Sequence, residues 1–120
     1  KRLAHWQGVS IAACEQCHRN VLPVIHGIES FPDWLAARHN DSASKLILLP
    51  QGDAMLHALP QPPGNILLMI GPEGGFTGEE VRLALDAGFR AMRLGPRILR
   101  TETAAIAGLA ALQMLWGDFK

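Results

Sequence analysis

The sequence predicts an α/β fold with a mainly parallel sheet and flanking helices. Three observations lead there. Short apolar runs alternate with segments of helical spacing. Two of those runs, KLILLP (Lys45 to Pro50) and NILLMIGP (Asn65 to Pro72), are apolar without interruption, as strands covered on both faces are. The helical segment that follows the second run is bracketed by a capping residue and a glycine stop.

The chain opens with a helix over Lys1 to Cys17, in which Trp6, Val9, Ala13 and Cys17 are spaced to share one face. NVLPVIHGI (Asn20 to Ile28) is β-rich, and Pro23 suits it to an edge or an irregular start. PDWLAARHN offers a short helix beginning near Pro32, because proline fits the first helical turn. KLILLP is then a buried parallel strand, QGDAMLHAL a short helix, and PQPPG a break that no helix continues through. NILLMIGP is the second buried strand and runs into the EGGF turn. Thr77 with Glu80 makes a capping box for EEVRLALDAGF, and Gly88 supplies its left-handed stop. AMRLGP (Ala91 to Pro96) is a further strand, and a last helix runs from about Thr101 to Trp116.

A chain of 120 residues, about half of them apolar, suits one folded domain. Eleven Lys plus Arg balance eleven Asp plus Glu, so any contact with a polyanion needs a local patch; Arg82, Arg90, Arg93, Arg97 and Arg100 are the candidates. No secretory signal or membrane-length apolar run is present, and a cytoplasmic protein without a membrane partner is expected. Lys1 is not Met and the helix begins at once, so the chain reads as a fragment of something longer. AAIAGLAALQML is apolar nearly all the way round and calls for cover on more than one side, from its own domain or from another subunit.

Ligands of parallel α/β sheets lie outside the carboxyl ends of the strands. Here those ends read LLP, IGPEGG and LGPRILR. In GPEGGFTGEE the glycines let the backbone approach a ligand, although the spacing is neither that of a P-loop nor of a dinucleotide site, and a plain tight turn explains it equally well. In LGPRILRTETA, Arg97 and Arg100 can hold phosphate or carboxylate, Glu102 can accept a proton, and Thr101 or Thr103 can cap the last helix. A helix cap with a solvated salt bridge is the bland alternative.

IGPEGGFTGEEV, with LGPRILRTETA downstream and EQCHRN upstream, closely resembles the RsmE family of ribosomal RNA methyltransferases, of the SPOUT or α/β-knot superfamily. The resemblance runs over nearly the whole chain in the same order. It implies a C-terminal trefoil knot, S-adenosylmethionine as cofactor, a homodimer packed partly through the last helix, and methylation of N3 of one uridine in 16S ribosomal RNA or the small-subunit particle. It also implies that residues 1–120 form the methyltransferase domain without its first strand and helix, and without the PUA-like RNA-binding domain of the family. Carried onto this sequence, the cofactor loops are Leu49 and Pro50, then Ile70, Gly71, Pro72, Glu73, Gly74 and Gly75, then Leu94, Gly95, Pro96, Ile98 and Leu99. Arg97, Arg100 and Glu102 are the candidate catalytic residues, with Glu73 as an alternative carboxylate. A noncatalytic dimerisation or binding module on the same fold is the competing function.

CEQCH (Cys14 to His18) has the spacing of c-type haem attachment, but that chemistry needs export and a second axial ligand. It also offers three of the four ligands of a zinc site, without a second pair at finger spacing, and no metal is expected. The two cysteines read as free thiols on a helix. His5, His26, His39 and His57 are scattered and read as surface or loop residues.

Overall fold

The computed structural model describes residues 2–119, which fall into two compact units that divide between Ser30 and Phe31; the expected helix start at Lys1 lies outside the described residues. In the first unit, α1 (Arg2–Cys17) ends where His18 takes the left-handed conformation, φ 62°, and the Arg19 amide donates to the Cys14 carbonyl at 2.9 Å. The face expected to be buried is exposed at Trp6, Val9, Ala13 and Cys17, and Cys14 is the buried residue. Ile11 lies on the other side of the helix from Val9 at 100° per residue, so the apolar residues form no single stripe. The β-rich stretch from Asn20 to Ile28 forms no strand. Val21, Val24 and Ile28 are more than two-thirds exposed, and β propensity without a neighbouring ladder does not hold a strand.

The second unit contains α2 (Phe31–Ala37), β1 (Ser44–Leu48), β2 (Ala54–Met55), a 3-10 turn (Leu56–Ala58), β3 (Ile66–Met69), α3 (Gly78–Asp86), β4 (Arg90–Arg93) and α4 (Thr101–Trp116). The four strands form one sheet in the order β2-β4-β1-β3, and every pair is parallel. Ile47 faces Met69 on one side and Ala91 on the other, which makes β1 an interior strand. β3 lies at an edge, and only Met69 of it is buried, less cover than its apolar run predicts.

Adjacent residues of β1 serve opposite faces of the sheet. Ile47 joins Leu35, Leu49, Met69, Ala84 and Phe89 beneath α2 and α3, whereas Leu46 joins Leu56, Met92 and Leu112 beneath α4. That double cover explains why Leu46, Ile47 and Leu48 follow one another without a polar residue. Ile47 and Met92 are fully buried, each contributing about 1.5–3 kcal/mol of transfer free energy.

The capping box of α3 forms as its spacing predicts: the Glu80 amide donates to Thr77 Oγ1 at 3.1 Å, and the Thr77 amide to Glu80 Oε1 at 2.9 Å. Gly88 takes a φ of 95°, and Lys45 Nζ donates to the Ala87 carbonyl at 3.1 Å, satisfying the end of the helix. Two further expectations fail. QGDAMLHAL is a two-residue strand and a 3-10 turn rather than a helix, because Gly52 is pinned by its bond to the Leu49 carbonyl and Ala54 and Met55 then pair with Met92 and Arg93. Neither Thr101 nor Thr103 caps α4; Arg100 occupies the N-cap position with extended backbone and makes no side-chain cap bond.

Candidate functional site

Because β1, β3 and β4 run in parallel, the loops that leave them emerge at one edge of the sheet. The three loops and the first turn of α4 enclose a cavity of about 660 Å³, a size suited to a small-molecule cofactor. Leu48, Leu49, Pro50 and Gln51 line it from the first loop, and Ile70, Gly71, Pro72, Glu73, Gly75 and Phe76 from the second. The third contributes Arg93, Leu94, Arg97, Ile98, Leu99 and Arg100, and α4 adds Thr101, Glu102 and Ala104.

All three candidate catalytic residues, Arg97, Arg100 and Glu102, therefore line one cavity with the alternative carboxylate Glu73. Among the described residues none of these four is ion-paired, so their charges remain available to a ligand. Of the thirteen residues assigned to cofactor loops, Gly74, Gly95 and Pro96 do not line the cavity. Gly75 and Gly95 have positive φ, 76° and 72°, and shape the loops by conformation; Gly75 also closes a turn by donating to the Pro72 carbonyl at 2.8 Å. Gly95 instead borders a shallower apolar groove with Met55, Leu56, Ala111, Met114 and Leu115.

Leu48, Gln51, Phe76, Arg93, Thr101 and Ala104 were not singled out from the sequence as lining residues. Arg93 and Phe76 carried a usable signal, since one ends a strand and the other directly follows GPEGG. The five-arginine patch shrinks to three. Arg90 begins β4, at the end opposite Arg93, and Arg82 is engaged by Glu79 and by Asp86, the latter at 3.1 Å. The Arg82 hydrogen bond holds the Glu79 carboxyl below its ordinary value, and the same bond raises the Arg82 guanidinium. CEQCH is the closing turn of α1, with both thiols free. His5, His26, His39 and His57 are exposed, and no cluster of three or more metal-ligating side chains occurs among the described residues.

The cavity suits S-adenosylmethionine in kind as well as in size. Leu48, Leu49, Ile98 and Leu99 offer apolar lining for a flat base. The carboxylates of Glu73 and Glu102 beside Arg93, Arg97 and Arg100 offer both signs of charge to a ligand that carries a cationic sulfonium and amine and an anionic carboxylate.

The chain is similar to known proteins over nearly all of its length. It matches the model of the RNA methyltransferase domain over residues 1–113. It is 41% identical to a ribosomal RNA small subunit methyltransferase E of Buchnera aphidicola over 98% of this chain and 48% of the relative. With the enzyme of that description from Bacillus subtilis the identity is 32%, over 98% of this chain and 50% of the relative. The ribosomal RNA small subunit methyltransferase E of Neisseria gonorrhoeae, solved with S-adenosyl methionine bound, superposes with a TM-score of 0.93 at 45% identity, over 99% of this chain and 50% of the other. A Legionella pneumophila structure with bound cofactor SAM gives 0.87 at 41%, over 95% and 46%. The chain thus spans about half the length of the relatives it matches. With the sheet order, the converging loops and these likenesses in agreement, the chain belongs to the RNA methyltransferase domain family, in its RsmE branch.

Proposed function

We propose that this chain forms the cofactor-binding and methyl-transferring part of an enzyme that uses S-adenosylmethionine to methylate N3 of a uridine in 16S ribosomal RNA. The observation that carries the reading is the convergence of Arg97, Arg100 and Glu102 with the three strand-end loops on one cofactor-sized cavity. Leu49, Pro50, Ile70, Gly71, Pro72, Glu73, Gly75, Leu94, Ile98 and Leu99 would hold the cofactor, which when bound supplies an electrophilic methyl group on a sulfonium sulfur. The C-terminal trefoil belongs to the same proposal, supported by β4 inserting between β1 and β2 before the chain enters the cavity loop.

Uridine N3 bears a proton at neutral pH, so its lone pair is free to attack only as that proton leaves. Glu102, exposed in the first turn of α4, accepts the proton. Arg97 and Arg100 hold RNA phosphate or the uracil carbonyl oxygens, where they stabilise the charge that builds on the base. Glu73 is the carboxylate to test if Glu102 fails.

Two experiments test the reading. Calorimetric titration of the chain with S-adenosylmethionine is expected to saturate near one cofactor per chain, and absence of saturable binding would refute the cofactor assignment. In an RNA methylation assay on the full-length enzyme, Glu102→Gln is expected to lower turnover by roughly 100-fold or more with cofactor affinity retained. Unchanged turnover excludes the base role. Lost stability with normal turnover per folded molecule would instead mark Glu102 as an anion complementing the helix N-terminus.

The same proposal includes a homodimer through α4, whose Ile106, Leu109 and Met114 are 72%, 56% and 64% exposed. A cytoplasmic location follows from a ribosomal substrate, and no described helix is long and apolar enough to cross a membrane.

A further inference from the structure

Gly71 has no conformational reason to be glycine, because the described glycines with positive φ are Gly75, Gly88 and Gly95. What a side chain there would meet is Phe76. A Cβ built on Gly71 stands 3.0 Å from both Cδ2 and Cε2 of that ring and 3.4 Å from Cζ. The ring has little room to withdraw. It packs on the cluster containing Ile47, Leu49, Met69 and Phe89, and its centroid lies 6.3 Å from that of Phe31. The intervening turn is tied as well, by the bond from the Gly75 amide to the Pro72 carbonyl and by the capping box that starts at Thr77. Gly74 makes the contrast: a Cβ there meets nothing within 4 Å, and the residue does not line the cavity.

We propose that Phe76 is a positioning residue for the cofactor: its ring, wedged between the core and the bare Cα of Gly71, sets how far the 70–75 wall stands into the cavity. The proposal rests on the cofactor reading above, and it assigns a new part to a residue whose ring belongs to the core while its edge reaches the site. Adding a methyl group at 71 leaves the ring nowhere to go, so the wall must move toward the ligand. Removing the ring leaves the wall unsupported. Doing both restores contact, because the added methyl fills part of the space the ring vacates.

The test is a double-mutant cycle read by S-adenosylmethionine titration, with the melting temperature of each variant recorded alongside. Gly71→Ala is expected to weaken binding about tenfold, the equivalent of a modest overpacking cost. Phe76→Leu alone is expected to weaken it several-fold while the protein still melts cooperatively. The double variant Gly71→Ala with Phe76→Leu should bind more tightly than Gly71→Ala alone. A double variant no better than Gly71→Ala overturns the proposal, as does wild-type affinity in Gly71→Ala. If Gly71→Ala fails to fold, Phe76→Leu decides alone, and unchanged affinity in that variant overturns it. A wild-type chain that binds no cofactor overturns the functional reading itself, whereas wild-type binding without coupling overturns only the role of Phe76.

Discussion

Gly52 is buried in the loop after β1, and a Cβ there would stand 2.5 Å from the carbonyl carbon of Met92 and 2.8 Å from its Cα and nitrogen. A side chain can rotate away from such a clash, but the backbone of an interior strand cannot. Gly52→Ala should therefore lower the unfolding free energy by about 3 kcal/mol, at the top of the usual overpacking range, with the denaturant midpoint shifted and the m-value kept. A midpoint equal to that of the wild type would mean that the loop can lift off β4 without penalty. Glu79 makes a milder case at the same scale. Its carboxyl is held below its ordinary value of 4.5, first by the hydrogen bond from Arg82, which outweighs an opposing desolvation, and least by that residue's charge. A depressed folded pKa adds stability that is complete above the unfolded value and is lost as the pH falls through the folded one. The melting temperatures of wild type and Glu79→Gln should differ slightly at neutral pH and converge as the pH is taken well below 4.5. A gap that persists unchanged in acid would assign the difference to something other than this pair. Because the pair is exposed, the gap should also shrink in salt.

At the scale of elements, what could be read in advance depends on how far away the partners of a segment lie. α3 was legible because Thr77, Glu80 and Gly88 are close in sequence and act within the helix itself. Thr77→Ala should cost about 1 kcal/mol, since it leaves the Glu80 amide without its side-chain acceptor, while the Thr77 amide that donates to Glu80 Oε1 remains. Denaturation that does not distinguish this variant from wild type would mean that water replaces the cap at no cost. The segment from Gln51 to Leu59 was illegible for the opposite reason. Its composition suits a short helix, but Met55 pairs with Arg93, which even places its Nε 3.0 Å from the Met55 sulfur, 38 residues away. Nothing local announces such a partner. The candidate site divides in the same way. Strand-end prolines and glycines marked the cavity loops, and the charges of LGPRILRTETA pointed to Arg97, Arg100 and Glu102, to which the resemblance then gave catalytic roles; all three line the cavity. Gly74, Gly95 and Pro96 were carried over as cofactor-loop positions on the same resemblance, although their neighbours in sequence reach the cavity and they do not. Phe76 was missed because its apolar side chain reads as core, which it also is.

For the whole molecule, the open question is what covers the outer side of α4. Its inner side lies on the sheet: Leu112 is buried, and a Cβ on Gly108 would stand 3.1 Å from Leu48 Cδ1 and 3.3 Å from Leu68 Cδ2. The outer side leaves Ile106, Leu109 and Met114 exposed, too many apolar residues on one face for a helix that ends at solvent. Burying those three side chains on each of two copies yields roughly 9 kcal/mol, taking about 1.5 kcal/mol apiece. Association itself costs on the order of 4–15 kcal/mol, and a micromolar dimer must retain about 8 kcal/mol after that cost is met. The three residues are therefore insufficient alone, and the proposed homodimer must also fill the neighbouring groove formed by Met55, Leu56, Ala111 and Leu115. Sedimentation at micromolar concentration should give a mass near twice the 13.0 kDa of the chain. Ile106→Glu should return it to a monomer with its helical content intact, and Leu115→Glu should do so as well, through the groove rather than the exposed stripe. A wild-type chain that stays monomeric over a wide concentration range would sink the dimer. Dissociation by Ile106→Glu but not by Leu115→Glu would leave the dimer standing and show that another surface, not the groove, supplies the missing free energy.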